Sequence, residues 1–295
     1  MSIKRFLGRS LADIRLAYPN LPYDFDESNP NSPLIKVRTK TVNPIEVTAE
    51  ILSTLRFRDE GTLGEALSGA VVTVPAYFDD AQRQSPKDAA QLAGLKVLHS
   101  LNEATAAAIA YGLDSGQEAI IVVYEGGGTF DISILRLSKG VFEVLSTGGD
   151  PALGGDDFDL MLVQYMRQQT ALQSKLSPRL QRTLLDQAKL VKEALSDSPS
   201  FVMELVDDNA QSHHLTITRE QFEQLITGLV KTTLRACRRA LKDVELTKDE
   251  VLDVIMVGAP LAFLWYEHKW QSSFLRHHNV YRSGQGSGYW CGYSG

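Results

Sequence analysis

Apolar and polar residues alternate along the chain in a way that predicts strands separated by amphipathic helices. A near-continuous apolar run at Gly69–Phe78 predicts a strand of a buried sheet, because strands covered on both faces lack polar positions. The next stretch, Asp79–Leu95, predicts a helix that one of its first two aspartates caps and Gly94 ends. Pro86 inside that stretch indicates a kink or a split. Strand followed by helix is typical of an α/β protein.

The rest of the chain, up to Gly258, continues this alternation. The predicted helices are Asn102–Leu113, Asp156–Gln169, Arg179–Asp197 and Thr218–Asp243, and an earlier one opens at Ala49–Leu55. The predicted strands are Lys96–Leu101, Val141–Asp150, Phe201–Val206, His213–Thr218 and Asp253–Gly258. Thr218 and Gln221 have capping-box spacing at the start of the longest helix.

One turn in this pattern has the composition of a phosphate-binding loop. Ile120–Leu135 predicts a strand, a glycine turn and a second strand. The three glycines are Gly126, Gly127 and Gly128. Glycines let the backbone approach a bulky anion closely, while Thr129 adds a hydroxyl donor and Asp131 a carboxylate for a metal or water. From the pattern alone, ordinary turn chemistry explains Thr129 and Asp131 equally well.

Composition excludes several classes of protein. The chain has 295 residues, 43% of them hydrophobic, and a formal net charge of -6, so it lacks the broad basic face that nucleic-acid binding needs. Its longest apolar runs have the length of strands, so no membrane span is predicted. Cys237 and Cys291 form no disulfide framework or metal-ligand spacing, and the start of the chain has no signal-peptide core. A cytoplasmic location is therefore expected.

Several motifs together resemble the nucleotide-binding domain of the seventy-kilodalton heat-shock chaperone family. They are KRFLGRS (Lys4–Ser10), VVTVPAYFDDAQR (Val71–Arg83), LNEATAAAIAYGLD (Leu101–Asp114), GGGTFDIS (Gly126–Ser133) and LGGDDFD (Leu153–Asp159). The stretches RSLADIRLAYPNLPYDF and YGLDSGQEAI resemble the bacterial branch that serves iron–sulfur cluster assembly. The resemblance covers about Ile3–Gly258 and implies an α/β, actin-like fold of two lobes with ATP in the cleft. The VPAYFDDAQR motif argues against another actin-like ATPase, such as a sugar kinase.

This resemblance implies roles for four residues in ATP hydrolysis. Lys4 resembles the family's lysine that orients the attacking water, and a positive charge there stabilises charge on the transferred phosphoryl group. Glu103 matches the glutamate that holds metal-bound water, and Thr129 and Asp131 match the phosphate and metal-water positions. Mg²⁺ is thus implied through water near Glu103 and Asp131, with no direct protein ligand. Without the resemblance, Lys4 reads as solvated and Glu103 as a carboxylate favoured at a helix start.

The resemblance also implies a set of residues that bind the nucleotide from the second lobe. Gly154 and Gly155 resemble the loop that approaches the nucleotide there. Lys192 and Ser196 lie one helical turn apart and match positions that clamp the adenosine, although by pattern alone they read as an exposed polar stripe. Lys189 stands where the family often has a glutamate, so one adenosine hydrogen bond is predicted to be lost.

Three departures from the family bear on its activity, and the first two of them predict weakened nucleotide binding. The family begins with a strand and a glycine-threonine phosphate loop that precede the first residue of this chain, so the first lobe is expected to be incomplete. Glu125 stands where the family has Asp-Leu, and an in-frame deletion within GAY-YTG yields its GAG codon. Ala104 replaces a proline implicated in signalling between domains. We therefore expect little or no ATPase activity, and apolar sheet faces left uncovered.

The pattern breaks down after Gly258. Read from the third base of each codon, Ala262–Trp270 can encode VPLVRTQV, which is the family continuation. Read from the second base, Asn279–Ser294 can encode TSIDPDKVVAIGAAIQ, which resembles the family's next segment. A frameshifted tail is therefore predicted, with a divergent native tail as the alternative. On the frameshift hypothesis, His277, His278 and Cys291 of this tail are not a metal site.

These expectations divide the chain into a remnant of lobe I at 1–117, lobe II at 118–258 and an aberrant tail at 259–295, with the peptide-binding domain absent. The chain is thus expected to be a fragment. The resemblance implies an ATP-dependent chaperone whose partners are a J-type co-chaperone and an iron–sulfur scaffold protein. The alternative is a non-catalytic remnant that keeps a surface for the co-chaperone but binds nucleotide poorly.

Overall fold

A computed structural model of the chain describes residues 3–18, 21, 23–29, 32–110, 120–125, 128–138, 141–172, 176–251, 253–257 and 280–282. The chain divides into two compact units, at residues 1–106 and 107–295. Each unit is described separately below.

The first unit opens with a small helical and antiparallel layer. Its elements are a 3-10 helix at Ile3–Phe6, α1 at Leu11–Ala17, β1 at Phe25–Asp26, β2 at Leu34–Val37 and β3 at Lys40–Val42. Ser10 caps α1 in a reciprocal capping box with Asp13. Phe6 and Phe25 meet edge to face, with 6.1 Å between ring centroids. With Leu11, Ile14 and Ile35 they form a buried cluster.

The second half of this unit alternates helices and parallel strands. Its elements are α2 at Pro44–Leu63, β4 at Ala70–Val74, α3 at Asp80–Leu92, β5 at Val97–Asn102 and α4 at Glu103–Ala110. Helix α2 begins earlier than predicted because Asn43 caps it reciprocally with Glu46. Asp79 caps α3 as predicted, and α3 continues as one helix through Pro86. Of the predicted kink or split, the structure therefore excludes the split.

Strand β4 does not lie in a sheet buried on both faces, contrary to the sequence-based prediction. It ends at Val74, and within the described residues it pairs only with β5, in parallel. Val71 and Leu98 are each 55% exposed. An apolar run predicts burial only when elements cover both faces of the sheet, and here the outward face stays open. This exposure agrees with the expectation of uncovered apolar faces.

The second unit is built around a mixed five-stranded sheet. Its elements are β6 at Ile120–Glu125, β7 at Phe130–Ser138, β8 at Val141–Asp150, α5 at Gly155–Gln169, α6 at Pro178–Asp197, β9 at Ser200–Val206, β10 at Ser212–Thr218, α7 at Arg219–Asp243, a 3-10 helix at Lys248–Glu250, β11 at Asp253–Val257 and β12 at Val280–Arg282. The strand order is β12-β11-β6-β7-β8. Strands β6, β7 and β8 are antiparallel neighbours, while β11 runs parallel to β6 and to β12.

Amphipathic helices supply the core of this unit. Phe130, Ile132 and Ile134 project from one face of β7 into a buried cluster that α5, α6 and α7 complete. The predicted hairpin is confirmed as β9–β10, and Thr218 caps α7 with Gln221 in the predicted capping box. Across the part of the chain that the structure describes, no helix is long and apolar enough to span a membrane.

Candidate functional site

Lys4 and Glu103 meet in the first unit. Lys4 lies in the opening 3-10 helix, and Glu103 is the first residue of α4, directly after β5. The Lys4 Nζ donates to Glu103 Oε1 at 2.6 Å, with the two side chains 27% and 9% exposed. The sequence-based roles for these residues, taken from separate motifs, thus concern two groups in direct contact.

The second oxygen of Glu103 is available to a ligand. Glu103 Oε2 is buried and has no hydrogen-bond partner among the residues that the structure describes. A buried acceptor left unpaired costs about 1–3 kcal/mol, so a donor that reaches this oxygen gains that amount in binding. A metal-bound water is such a donor. The pair therefore fits the phosphate end of a metal–nucleotide complex.

Arg83 supports the segment that carries Glu103, and sequence reasoning did not single it out. Its Nε donates to Phe78 O at 2.8 Å, its Nη1 donates to Asn102 Oδ1 at 3.2 Å, and its Nη2 donates to the carbonyl of Ala76. Asn102 immediately precedes Glu103. One guanidinium thus ties the turn after β4 to the end of β5. The only signal in the sequence was its place in the DAQR motif.

The glycine loop of the second unit connects two antiparallel strands, as predicted. Strand β6 ends at Glu125 and β7 begins at Phe130, with Glu125 opposite Phe130. Gly126 and Gly127 lie outside the described residues, whereas Gly128 is buried. Thr129 and Asp131 are 1% and 0% exposed. The two predicted side chains are therefore in the interior, on or next to β7.

Ser133 extends this polar row, and sequence reasoning missed it. It is fully buried, and its Oγ has no hydrogen-bond partner within the described ranges. Asp131 and Ser133 alternate along β7 with the core residues Ile132 and Ile134, so the strand carries polar groups on the face opposite the core. The alternation was readable in FDISI, but its burial was not.

Gly154 and Gly155 form the entry to α5. The Gly154 N–H donates to Asp157 Oδ2 at 2.8 Å, while Asp157 N donates to Gly154 O at 2.9 Å. Asp156 and Asp157 occupy the first helical turn, where their negative charge interacts favourably with the positive end of the helix dipole. The predicted glycine loop is thus a capped helix start.

Lys192 points inward, not into an exposed polar stripe. Its Nζ lies 2.6 Å from Asp159 Oδ1 and donates to Gly155 O at 2.9 Å. Ser196 is half-buried, and its carbonyl accepts from Arg219 Nη2 at 3.1 Å. Lys189 is exposed, with its Nζ 3.8 Å from Glu193 Oε1. The structure thus brings Lys192 to the Gly155 backbone.

Burial raises the pKa of Asp159 above its ordinary value, against the lowering effect of the Lys192 charge. Asp159 belongs to the LGGDDFD motif, but sequence reasoning gave it no role. Its only sequence signal is a position one helical turn after Gly155. No group of three or more histidine, cysteine, aspartate or glutamate residues that could hold a metal occurs in the ranges that the structure describes.

Comparisons with known proteins identify the class of this chain. A family model described as "Hsp70 protein" matches residues 1–260, so the chain belongs to the Hsp70 family, the seventy-kilodalton heat-shock chaperones. Its fold is accordingly that of the nucleotide-binding domain family, and the resemblance read from the motifs is confirmed.

Within this family, the chain is similar to curated relatives named HscA or HscA homolog. The chain is 69% identical over 259 residues to a chaperone protein HscA homolog of Pseudoalteromonas atlantica, a match covering 88% of this chain and 42% of that protein. It is 60% identical over 258 residues to chaperone protein HscA of Photorhabdus laumondii, covering 87% and 41%. The match to chaperone protein HscA of Yersinia enterocolitica is 59% identical over 258 residues, with the same two shares of 87% and 41%. The chain thus spans about two fifths of the length of these relatives.

Proposed function

We propose that this chain is the nucleotide-binding part of an HscA-type chaperone and that its ligand is ATP with Mg²⁺. The observation that carries the proposal is the Lys4–Glu103 pair, in which one carboxylate oxygen is engaged by the ammonium and the other is buried without a partner among the described residues. The family membership and the HscA relatives support the same ligand.

Each member of the pair has a definite task in this proposal. Lys4 places a positive charge where negative charge increases during phosphoryl transfer, and it orients the attacking water. Glu103 holds Lys4 through Oε1, and its Oε2 would accept from a metal-bound water. Mg²⁺, when bound, would neutralise phosphate charge and present that water.

Residues of the second unit are also proposed to bind nucleotide. Gly126, Gly127, Gly128 and Thr129 would supply backbone and hydroxyl donors for phosphate oxygens, and Asp131 would accept from a metal-bound water. Gly154 and Gly155 would approach the nucleotide at the start of α5, because a helix N-terminus favours anions. Lys192 and Ser196 would lie near the adenosine. These assignments come from the motif positions.

The affinity for ATP is proposed to be low. Glu125 stands in place of an aspartate near the metal, and Lys189 in place of a glutamate that bonds the adenosine. Hydrogen bonds to charged groups contribute about 1.5–3 kcal/mol each, so losing two weakens binding by roughly two to four orders of magnitude.

Isothermal titration of the chain with Mg-ATP tests the proposal, with Mg-GTP as the control for base selectivity. The expected result is saturable binding of ATP, weaker than micromolar and stronger than that of GTP. No binding of ATP at millimolar concentration would overturn the proposed ligand. A dissociation constant in the micromolar range or tighter would overturn the proposed weakening. Glu103→Gln should weaken ATP binding further, because the amide loses the carboxylate charge.

The name of the relatives supports a chaperone role, and the partners are proposed from the resemblance of the motifs. We propose that the protein to which this chain corresponds couples ATP hydrolysis to protein binding, and that it serves iron–sulfur cluster assembly in the cytoplasm. Its proposed partners are a J-type co-chaperone and an iron–sulfur scaffold protein. Surface plasmon resonance against an immobilised J-type protein from an iron–sulfur cluster operon tests the first partner, with a J-type protein of another pathway as the control.

A further inference from the structure

A buried ion pair joins α6 to the first turn of α5. Lys192 Nζ and Asp159 Oδ1 are 2.6 Å apart, and the two side chains are only 11% and 10% exposed. The same ammonium donates to Gly155 O at 2.9 Å. Gly155 is the first residue of α5, and Asp159 lies one helical turn further along. Lys192 therefore contacts this turn at two points, the backbone carbonyl of Gly155 and the side chain of Asp159.

Gly154, the residue before α5, is also held by a hydrogen bond within this turn. Gly154 is held by Asp157, whose Oδ2 accepts the Gly154 N–H at 2.8 Å. The turn from Gly154 to Asp159 thus has an internal hydrogen bond at its start, between Gly154 and Asp157, and an ion pair to Lys192 of α6 at its end. Lys192 is the point at which α6 is attached to this turn by a charged contact.

Stability alone does not explain charges at this place. Burial raises the pKa of Asp159, even though the Lys192 charge acts in the opposite direction, so desolvation of the carboxylate outweighs its pairing. Buried ion pairs of this kind are often no more stable than apolar residues of equal volume. The pair instead fixes the position of the Lys192 ammonium, because an ammonium between a carboxylate and a carbonyl has few alternative positions.

We propose that Asp159 is a positioning residue that holds Lys192 against the Gly154–Gly155 turn, so that the groups assigned to the adenosine and to the phosphates form one rigid element. The inference rests on the proposed function, in which Lys192 and this turn both belong to the nucleotide site. Asp159 itself touches Lys192 and acts through it. Its removal should loosen the turn and weaken nucleotide binding together.

A matched pair of variants tests the proposal. Asp159→Asn removes the buried carboxylate charge, while Asp186→Asn removes an exposed one on α6, the helix that carries Lys192. There Asp186 Oδ1 pairs with Arg182 Nη2 at 3.0 Å, and the side chains are 55% and 70% exposed. Hydrogen–deuterium exchange of the ligand-free chain should show amides 154–158 exchanging about tenfold faster in Asp159→Asn, the loss of one charge-assisted contact. In Asp186→Asn these amides should exchange as in the parent chain.

Calorimetry with Mg-ADP provides the second readout. Asp159→Asn should weaken binding by about tenfold, and Asp186→Asn should leave it unchanged. If the parent chain binds Mg-ADP and Asp159→Asn binds equally well, the positioning role is wrong while the proposed function stands. If the parent chain binds no nucleotide but exchange at 154–158 still rises in Asp159→Asn, Asp159 does hold the turn in place and the proposed function fails.

Three further variants separate positioning from simple destabilisation. The double variant Asp159→Asn with Lys192→Met has no buried charge, so its thermal stability should recover relative to Lys192→Met alone. Its amides 154–158 should nevertheless stay fast and its Mg-ADP affinity low, because the contact to Gly155 O is lost. Recovery of parent-like exchange and affinity along with stability would contradict the positioning role. Lys192→Arg, which keeps the charge, should be closer to the parent chain than Lys192→Met in both readouts.

Discussion

The ammonium of Lys4 lies 2.6 Å from a carboxylate oxygen of Glu103, although 99 positions separate the two residues. The contact joins the opening 3-10 helix to the start of α4, and Glu103 lies directly after the asparagine that Arg83 holds. The pair is partly buried, so its contribution to the free energy of unfolding depends on how much water reaches it. The interaction energy of the pair can therefore be measured in the ligand-free chain.

A double-mutant cycle on this pair should give a favourable coupling energy. Lys4→Met and Glu103→Gln, alone and combined, are compared by urea unfolding. We expect a coupling of about 1–2 kcal/mol, because Glu103 is buried while Lys4 retains some solvent. The control is Arg15 and Glu27, whose side chains are 54% and 71% exposed and should couple by less than about 0.5 kcal/mol. Equal coupling in both pairs would show that the burial of Glu103 is irrelevant.

The β9–β10 hairpin should respond to acid through Asp207. Hydrogen bonds from His213 and from the amides of Gln211 and Asn209 lower the pKa of Asp207 below its ordinary value of 3.8. A lowered pKa means that this stabilisation is present above pH 3.8 and is lost as the pH falls through the folded value.

The measurement is the free energy of unfolding against pH for the parent chain and for Asp207→Asn. The variant should be less stable at neutral pH, and the difference should shrink below about pH 4 as the parent aspartate becomes protonated. A difference that stays constant across the acid range would contradict the assignment. Asp186→Asn serves as the matched substitution at an exposed site.

The open face of β4 and β5 should promote aggregation. Val71 and Leu98 are each 55% exposed on a parallel pair that has no further strand among the described residues. Val71→Thr with Leu98→Gln should lower light scattering during heating, with a change in stability within about 0.5 kcal/mol. Val74→Thr is the control, since Val74 is 1% exposed and a buried hydroxyl there should cost about 1–3 kcal/mol. Unchanged scattering in the double variant would exclude this face as the cause.

The DNA that encodes the chain should carry two changes of frame after Gly258 and an in-frame deletion at Glu125. The family model matches residues 1–260, and the matches to HscA relatives extend over 258 to 260 residues. Sequencing the gene and its flanks checks whether the codons of 262–270 and 279–294 encode the family continuation when shifted. If no insertion or deletion restores that frame, the tail is a divergent native one.

Repair of Glu125 gives a companion experiment. Replacing Glu125 by Asp-Leu should leave ATP binding weak, because we expect the larger defects to lie elsewhere in the chain. Calorimetry with Mg-ATP on the parent and repaired chains gives the comparison. Tight binding after this single repair would place the whole defect at Glu125.

Local signals in the sequence were enough for most elements of the fold. Helix caps at Asp79 and Thr218, the hairpin at β9–β10 and the strand–turn–strand around the glycine loop were all predictable, because each depends on residues close together in the chain. The family was predictable for a related reason, since its motifs are contiguous stretches. The start of α2 was missed where the Asn43 cap had not been read.

Burial and partnership were decided by the tertiary structure. The same apolar pattern that predicted a buried strand leaves Val71 exposed, because coverage depends on distant segments. Lys192 read as part of a polar stripe, yet Asp159 from another helix turns it inward. Sequence by itself thus determined the elements, the motifs and the family. Only folding decided which charges meet, because the free energy of a charge depends on the water and partners that three-dimensional packing leaves around it.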